Sequence, residues 1–321
     1  MNSNEYRLAI TDGTSGETFS NASPRTNPCI EGLSLVARQL KHPIETVHLG
    51  IKYAVTMVRL ASVRPGPASQ SIRPADPPIL RCFPSFPLPF YTVWGMARLG
   101  GIQLSRKEGS RGLVFCDRTV LPASAIGSAD WINGRCVDIR KTVIARVFEQ
   151  VSGQTLLVNA VEYHGPMVEK SETNGTHNGR VVQGPLQQVR PNVSYQRLID
   201  NLIDGGQHVE DLRTVIVGGS PVLVYRKRRT AARRFESGAT SATIAEIREV
   251  YSAPEASLLS RFCQRLGLDF GEIDILRDNH DQRIYCVDVN TTPALPPISL
   301  PYSEMQRALG LIATQFRNRY F

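Results

Sequence analysis

Residues 267–293 read GLDFGEIDILRDNHDQRIYCVDVNTTP: two runs rich in β-branched and aromatic residues, GEIDILR and RIYCVDVN, flank the polar segment DNHDQ. That pattern predicts an antiparallel hairpin. Successive side chains of a strand point to opposite faces, so Asp288 and Asn290 share one face and lie close enough to share a cation. Folding about DNHDQ brings Asp274 opposite them, and three oxygen donors then converge. Such a set leaves positions for water and phosphate, and suits Mg²⁺ better than zinc or copper. The same spacing describes three solvated polar residues on the open face of a sheet, and the hairpin alone does not choose between these readings.

Upstream of the hairpin, EASLLSRFCQRLG carries apolar residues at Ala256, Leu259, Phe262, Cys263 and Leu266, the spacing of a helix face. Before it, the strands RTVIVGG and PVLVYRKRR are separated by a Gly-Gly-Ser turn, which predicts a second hairpin. Further upstream come the strands GPMVEKS and GRVVQG around the polar loop ETNGTHNG. A helix is predicted in RKTVIARVFEQVSG, with Asp138 as its N-cap, a stripe of Val143, Ile144, Val147, Phe148 and Val151, and Gly153 closing it. Downstream, Ser303 with Gln306 reads as a capping box opening a helix that buries Met305, Leu309, Ile312 and Phe316.

The first 128 residues form a separate region, with a boundary near residue 128. The helix FYTVWGMARLGG and the strand RGLVFCD end it, and IEGLSLVARQL and IKYAVTMVRLAS offer two helices or a helix and a strand. Eight of the 21 prolines fall between Pro65 and Pro89, which predicts an irregular connection over 65–89.

The chain has 321 residues, 41% of them hydrophobic and 21% charged, which excludes disorder as its overall state. Lys plus Arg is 37 and Asp plus Glu is 29, so the net charge is 37 − 29 = +8. An anionic partner follows, but charge does not choose among nucleotides, acidic metabolites and nucleic acid. The six cysteines lack any C-x-x-C spacing and are read as reduced, mostly buried thiols. No secretory signal is visible in the first residues, and the longest apolar stretch is broken by three prolines and an Arg, so a cytoplasmic protein is expected.

The hairpin resembles the C-terminal metal-binding motif of the ATP-grasp superfamily, particularly the branch that contains glutathione synthetase and the ribosomal-protein glutamate ligase. The motif positions read here as Asp274, Asp288, Asn290 and Pro293, with Asp288 one methylene shorter than the usual Glu. The other parts of the family pattern follow in the same order. DIRKTVIARVF offers the first nucleotide-binding Lys, Lys141, and GPMVEKSETNGTHNG the second, Lys170, before a phosphate-covering loop with Gly175 and Gly179. YQRLIDN resembles the adenine hinge and places Arg197, Leu198 and Ile199 there, Arg197 standing where the family usually has Glu. Asp200 or Asp204 takes the ribose. VEDLRTVIVGG matches the D-x-R strand through Asp211 and Arg213, and Arg226 or Lys227 is placed near phosphate or substrate. His177 is read as an exposed loop residue.

The resemblance implies an α+β protein of the ATP-grasp fold. Two α+β subdomains over 129–321, about 129–200 for the nucleotide and about 201–321 for metal and catalysis, follow an atypical α/β region. It implies ATP, one or two Mg²⁺ ions with Mn²⁺ able to substitute, and small carboxylate and amine substrates such as amino acids or peptides. Ligases of this kind are commonly dimers or tetramers, which leaves the oligomeric state open, and no membrane partner is expected from the interrupted apolar stretch. The activity implied is an ATP-dependent carboxylate–amine ligase working through an acyl phosphate. A kinase acting on a hydroxyl, or a non-catalytic nucleotide- or nucleic-acid-binding protein, are the alternatives. Nucleic acid is disfavoured because only Tyr225 and Phe235 flank the basic run 226–234.

Overall fold

The computed structural model describes residues 77–125, 128–176, 178–236 and 239–321, with 55, 56, 58 and 59. IEGLSLVARQL, most of IKYAVTMVRLAS, Cys29 and His177 lie outside the described residues.

Strand β1 (Ile79–Pro84), helix α1 (Thr92–Gly100) and strand β2 (Gln103–Ser105) make a βαβ unit, and β3 (Arg111–Phe115) pairs parallel on the other side of β1. Of the expected irregular connection over 65–89, residues 65–76 lie outside the described residues, and the expectation is corrected over 77–89, which holds the central strand of a parallel sheet. Pro78 and Pro84 bracket a proline-free run in which Leu80 and Cys82 are buried, so the backbone donors needed for pairing are kept.

Helix α2 (Lys141–Ser152) ends at Gly153, as expected. Its cap differs from the expectation: Arg140 is the N-cap, and Asp138 instead accepts from the Arg140 N–H at 2.9 Å and pairs with its guanidinium. A missing cap costs about 0.5–2 kcal/mol. Burial of Ile144 and Phe148, both 0% exposed, contributes about 1.5–3 kcal/mol each, so packing holds this helix. Strands β4 (Gly165–Ser171), β5 (Arg180–Gly184) and β6 (Val193–Arg197) form an antiparallel sheet with β4 in the centre.

Strand β7 (Leu202–Ile203) pairs with the start of β8 (His208–Val217), and β8 turns into β9 (Ser220–Thr230) through Gly218 and Gly219, at φ 63° and 73°. Positive φ at both turn positions matches the twist of the paired strands, and glycine adopts it without steric cost. Strand β10 (Ser241–Ala245) adds an edge beyond β9. Helices α3 (Ile247–Val250) and α4 (Ala253–Leu266) lead to β11 (Phe270–Arg277) and β12 (Ile284–Asn290), giving the antiparallel order β10-β9-β8-β11-β12. Helix α5 (Tyr302–Tyr320) buries the four predicted residues. Its N-cap is Pro301 with no side-chain cap, and Glu304 pairs with Arg307, so the Ser303–Gln306 box does not form.

Each face of this sheet has its own core. Leu212, Ile216, Val224, Ile273 and Ile275 pack under Ile144 and Phe148 of α2 and Leu259 and Phe262 of α4. On the opposite face Val215, Val217, Tyr225 and Phe270 meet Leu309, Ile312 and Phe316 of α5, together with Leu80 and Met96 of the parallel-sheet unit. Residues on either side of position 128 thus share one core. The five described cysteines are buried thiols, as read from the sequence. The α+β class holds. Among the described residues no helix is long and apolar enough to cross a membrane.

Candidate functional site

Beyond the end of α5, the face that carries Val215 and Tyr225 turns polar. Strand register assembles it: Asp274 stands opposite Arg213 on one side and Asp288 on the other, Glu272 opposite Asn290, and Asp211 opposite Lys227. Period two then adds Arg229 beside Lys227.

Arg213 grips both oxygens of Asp274, at 2.8 and 2.9 Å, and lies 3.6 Å from Glu272. Burial works against the Asp274 anion, but the Arg213 guanidinium outweighs it and holds this carboxyl below its ordinary range. Glu272 lacks such a grip. Burial pushes it up to about 7, with Arg213 only partly opposing. Lys227 is pulled down to about 8 by burial and by neighbouring Arg213, and Lys170 is lowered mainly by burial. Arg229 pairs with Asp211 at 2.8 Å.

Lys141, the first residue of α2, reaches Asp288 at 2.7 Å and Asn174 at 2.9 Å. Asn174 belongs to the loop after β4, and its amide donates to the carbonyl of Val289. In the same loop Glu172 accepts from the Thr142 N–H at the start of α2 and from the Thr142 hydroxyl, a carboxylate placed at the positive end of the helix. The loop is thereby seated on the site. Gly175 has φ 73°, and a side chain at Gly179 would collide with the Phe235 ring. The ammonium group of Lys170, near the end of β4, makes no hydrogen bond or ion pair within the described residues, and neither does that of Lys227.

The structure brings together Lys141, Lys170, Arg213, Lys227, Asp274, Asp288 and Asn290. Arg226 is a correction: alternation along β9 turns it to the other face, where it pairs with Glu210 at 2.8 Å beside Arg228. In the hinge, the Arg197 side chain turns to the β11–β12 loop, 3.5 Å from Asp278, 3.7 Å from Asp281 and 4.7 Å from the Tyr285 ring centroid. Its amide is taken by Leu156, Ile199 packs with Leu156 and Tyr285, and Leu198 is half-buried. Asp204 sits in an exposed turn 3.2 Å from His208, whereas Asp200 accepts from the Leu202 N–H. Glu272 and Asn174 escaped the sequence reading, and Arg229, expected to be solvated with the rest of the basic run, is instead 8% exposed. Period two in GEIDILR would have placed Glu272 on the face of Asp274; nothing local marks Asn174.

Among the described residues no three His, Cys, Asp or Glu side chains are disposed to hold a metal ion. Asp288 and Asn290 nevertheless present the oxygen donors that Mg²⁺ takes, and fit an ion drawing further ligands from phosphate and water. Asp274 in this arrangement is committed to Arg213.

Glu272 gives a pH signature. Its folded-state pKa of about 7 lies above the ordinary value, so between about pH 4.5 and 7 the folded state holds a proton that the unfolded state releases. Stability from this group therefore falls as pH rises through that window. Glu272→Gln, which cannot ionise, should gain stability relative to the parent across it, by at most about 3 kcal/mol, and level off above it. Urea midpoints measured through the window test this; a gap that shrinks with rising pH would mean that Arg213 stabilises the anion.

No protein-family model and no curated protein matches the chain. Among solved structures it is similar to the ATP-grasp ligase PsnB with precursor peptide and AMPPNP, at 12% identity over 57% of this chain and 58% of that chain, TM-score 0.38. It is similar to a RimK domain ATP-grasp protein from Sphaerobacter thermophilus, at 14% identity over 75% of this chain and 99% of that chain, TM-score 0.44. It is also similar to an L-amino acid ligase from Bacillus licheniformis, at 16% identity over 50% of this chain and 41% of that chain, TM-score 0.35. The chain spans well under two thirds of the length of PsnB. ATP-grasp ligases are what this chain resembles, in its ordered motifs and in the solved structures to which it is similar.

Proposed function

We propose that the protein is an ATP-dependent carboxylate–amine ligase. The observation that carries this reading is the pairing of two surrounded lysines without carboxylate partners, Lys170 and Lys227, with an Arg213 fork and the Asp288–Asn290 pair on one face. Buried ammonium groups that no carboxylate contacts directly favour an anionic ligand, and we read that ligand, from the ordered motifs, as a nucleoside triphosphate.

Lys141 and Lys170 orient the triphosphate, with Lys141 shared between Asp288 and phosphate. Mg²⁺ held by Asp288 and Asn290 would supply charge neutralisation on the transferring group. A substrate carboxylate oxygen attacks the γ-phosphorus, the bond to the ADP oxygen breaks, and an acyl phosphate forms. An amine nitrogen then attacks the acyl carbon and loses a proton to the departing phosphate or to water while the carbon–oxygen bond to phosphate breaks, giving an amide and inorganic phosphate. Arg213, always protonated and fixed by Asp274, faces the charge that develops on phosphoryl and carbonyl oxygens.

The test is incubation with Mg-ATP, pooled amino acids and short peptides, and hydroxylamine, with hydroxamates and ADP both quantified. Hydroxamate formed with ADP is expected and names the activated carboxylate. ADP formed with a phosphoester and no hydroxamate would replace the ligase by a kinase.

A further inference from the structure

The catalytic face has many cations, yet one carboxylate beside it has none. Asp117 follows the C-terminal end of β3. Among the described residues its side chain has one hydrogen bond, from the Thr292 hydroxyl at 3.4 Å, and Thr292 in turn donates its N–H to Asn290 at 3.0 Å. No ion pair reaches Asp117 among the described residues. It is accessible, yet surrounded enough that burial pushes its carboxyl up, with only Thr292 opposing and no cation holding it down.

Topology makes this place a crevice independently of Asp117. β1 is central, and the chain leaves its C-terminal end through α1 toward β2 on one side, whereas the chain leaving β3 returns along the outer edge of β3, where Ile132 pairs with Leu113. Where connections from neighbouring parallel strands diverge, the carboxyl ends of the strands frame a ligand crevice. Ser85 begins beyond β1 here, its N–H bound to the Phe115 carbonyl at 3.1 Å, and its hydroxyl is buried with no partner, the residue being 6% exposed. A buried hydroxyl without a partner is costly unless a ligand supplies one. The turn after Asn290 borders the crevice through Thr292, and Thr92 donates its N–H to Pro293, which ties this unit to the end of the hairpin.

We propose that the crevice at the C-terminal ends of β1 and β3 is the amine-substrate subsite, where Asp117 binds the ammonium group of an amino acid or peptide and sets it beside the Asp288–Asn290 pair. This rests on the ligase reading and adds to it the side from which the nucleophile arrives. The Asp117 carboxylate accepts a charge-assisted hydrogen bond from the ammonium, which gives up one proton to Asp117 or to water before its nitrogen attacks the acyl carbon.

Asp117→Asn keeps the shape and removes the charge. It should lower kcat/KM for the amine substrate, read as amide formed from pooled amino acids and short peptides, by roughly 10- to 100-fold, as expected for one hydrogen bond to a charged group. Hydroxamate formation from hydroxylamine, a neutral nucleophile, should stay near the parent rate, and the urea midpoint should not fall. Equal amide formation by both proteins, or parallel loss of amide and hydroxamate, overturns the subsite. Absence of hydroxamate from the parent protein overturns the ligase reading itself, and the subsite with it.

Discussion

Asn290→Ala and Asp288→Asn are each expected to lower turnover by about 10³-fold, the scale on which losing one charge-stabilising group acts in a closed site. Their structural costs differ, which makes them a useful pair. Among the described residues the Asn290 side chain has one hydrogen bond, accepted from the Thr292 N–H at 3.0 Å, so its removal should cost about 1 kcal/mol. Asp288→Asn takes the counter-charge from Lys141, which is 5% exposed, but leaves the Asn174 carbonyl at 2.9 Å, and a loss of about 1–3 kcal/mol follows. Turnover measured with Mg-ATP beside thermal unfolding separates the two effects. Near-normal turnover by both variants would remove this pair from phosphoryl transfer.

Arg213→Ala should be the most destabilising single change in the site. It strips Asp274 of both its hydrogen bonds and leaves Glu272, 3% exposed, without its nearest cation. Breaking a buried pair from one side costs about 3–5 kcal/mol, because a charge stays buried and uncompensated. The pH dependence has a definite sign. The folded-state pKa of Asp274 is depressed, so the stability that Arg213 provides is present above the ordinary carboxylate range and is lost as pH falls through the folded value. The gap between parent and variant should therefore narrow as acid is added, and urea midpoints across that range measure it. A gap independent of pH would mean that Arg213 acts by packing and not by charge. Arg213→Lys keeps a cation but loses the fork, so it should recover part of the stability and little of the turnover.

The sequence by itself determined the elements that local chemistry dictates. Two glycines in the Gly-Gly-Ser turn set the β8–β9 hairpin, period two placed Asp288 with Asn290, and the 3.6-residue spacing of Leu259, Phe262 and Leu266 set α4. The order of the lysines, Arg213 and the metal-type hairpin was legible for the same reason, since each sits in a short run whose own pattern marks it. Tertiary structure decided the rest. Proline density hid β1, because whether a strand lies between prolines depends on the neighbours that pair with Ile79–Pro84. Period two puts Arg226 and Lys227 on opposite faces of β9, but only packing under α5 decided which face held the chemistry. Asn174, Asp117 and Ser85 lie far along the chain from Asp288 and Asn290, and no local pattern relates them. Their place beside the site comes from long-range pairing, which brings together residues whose separation in sequence carries no signal.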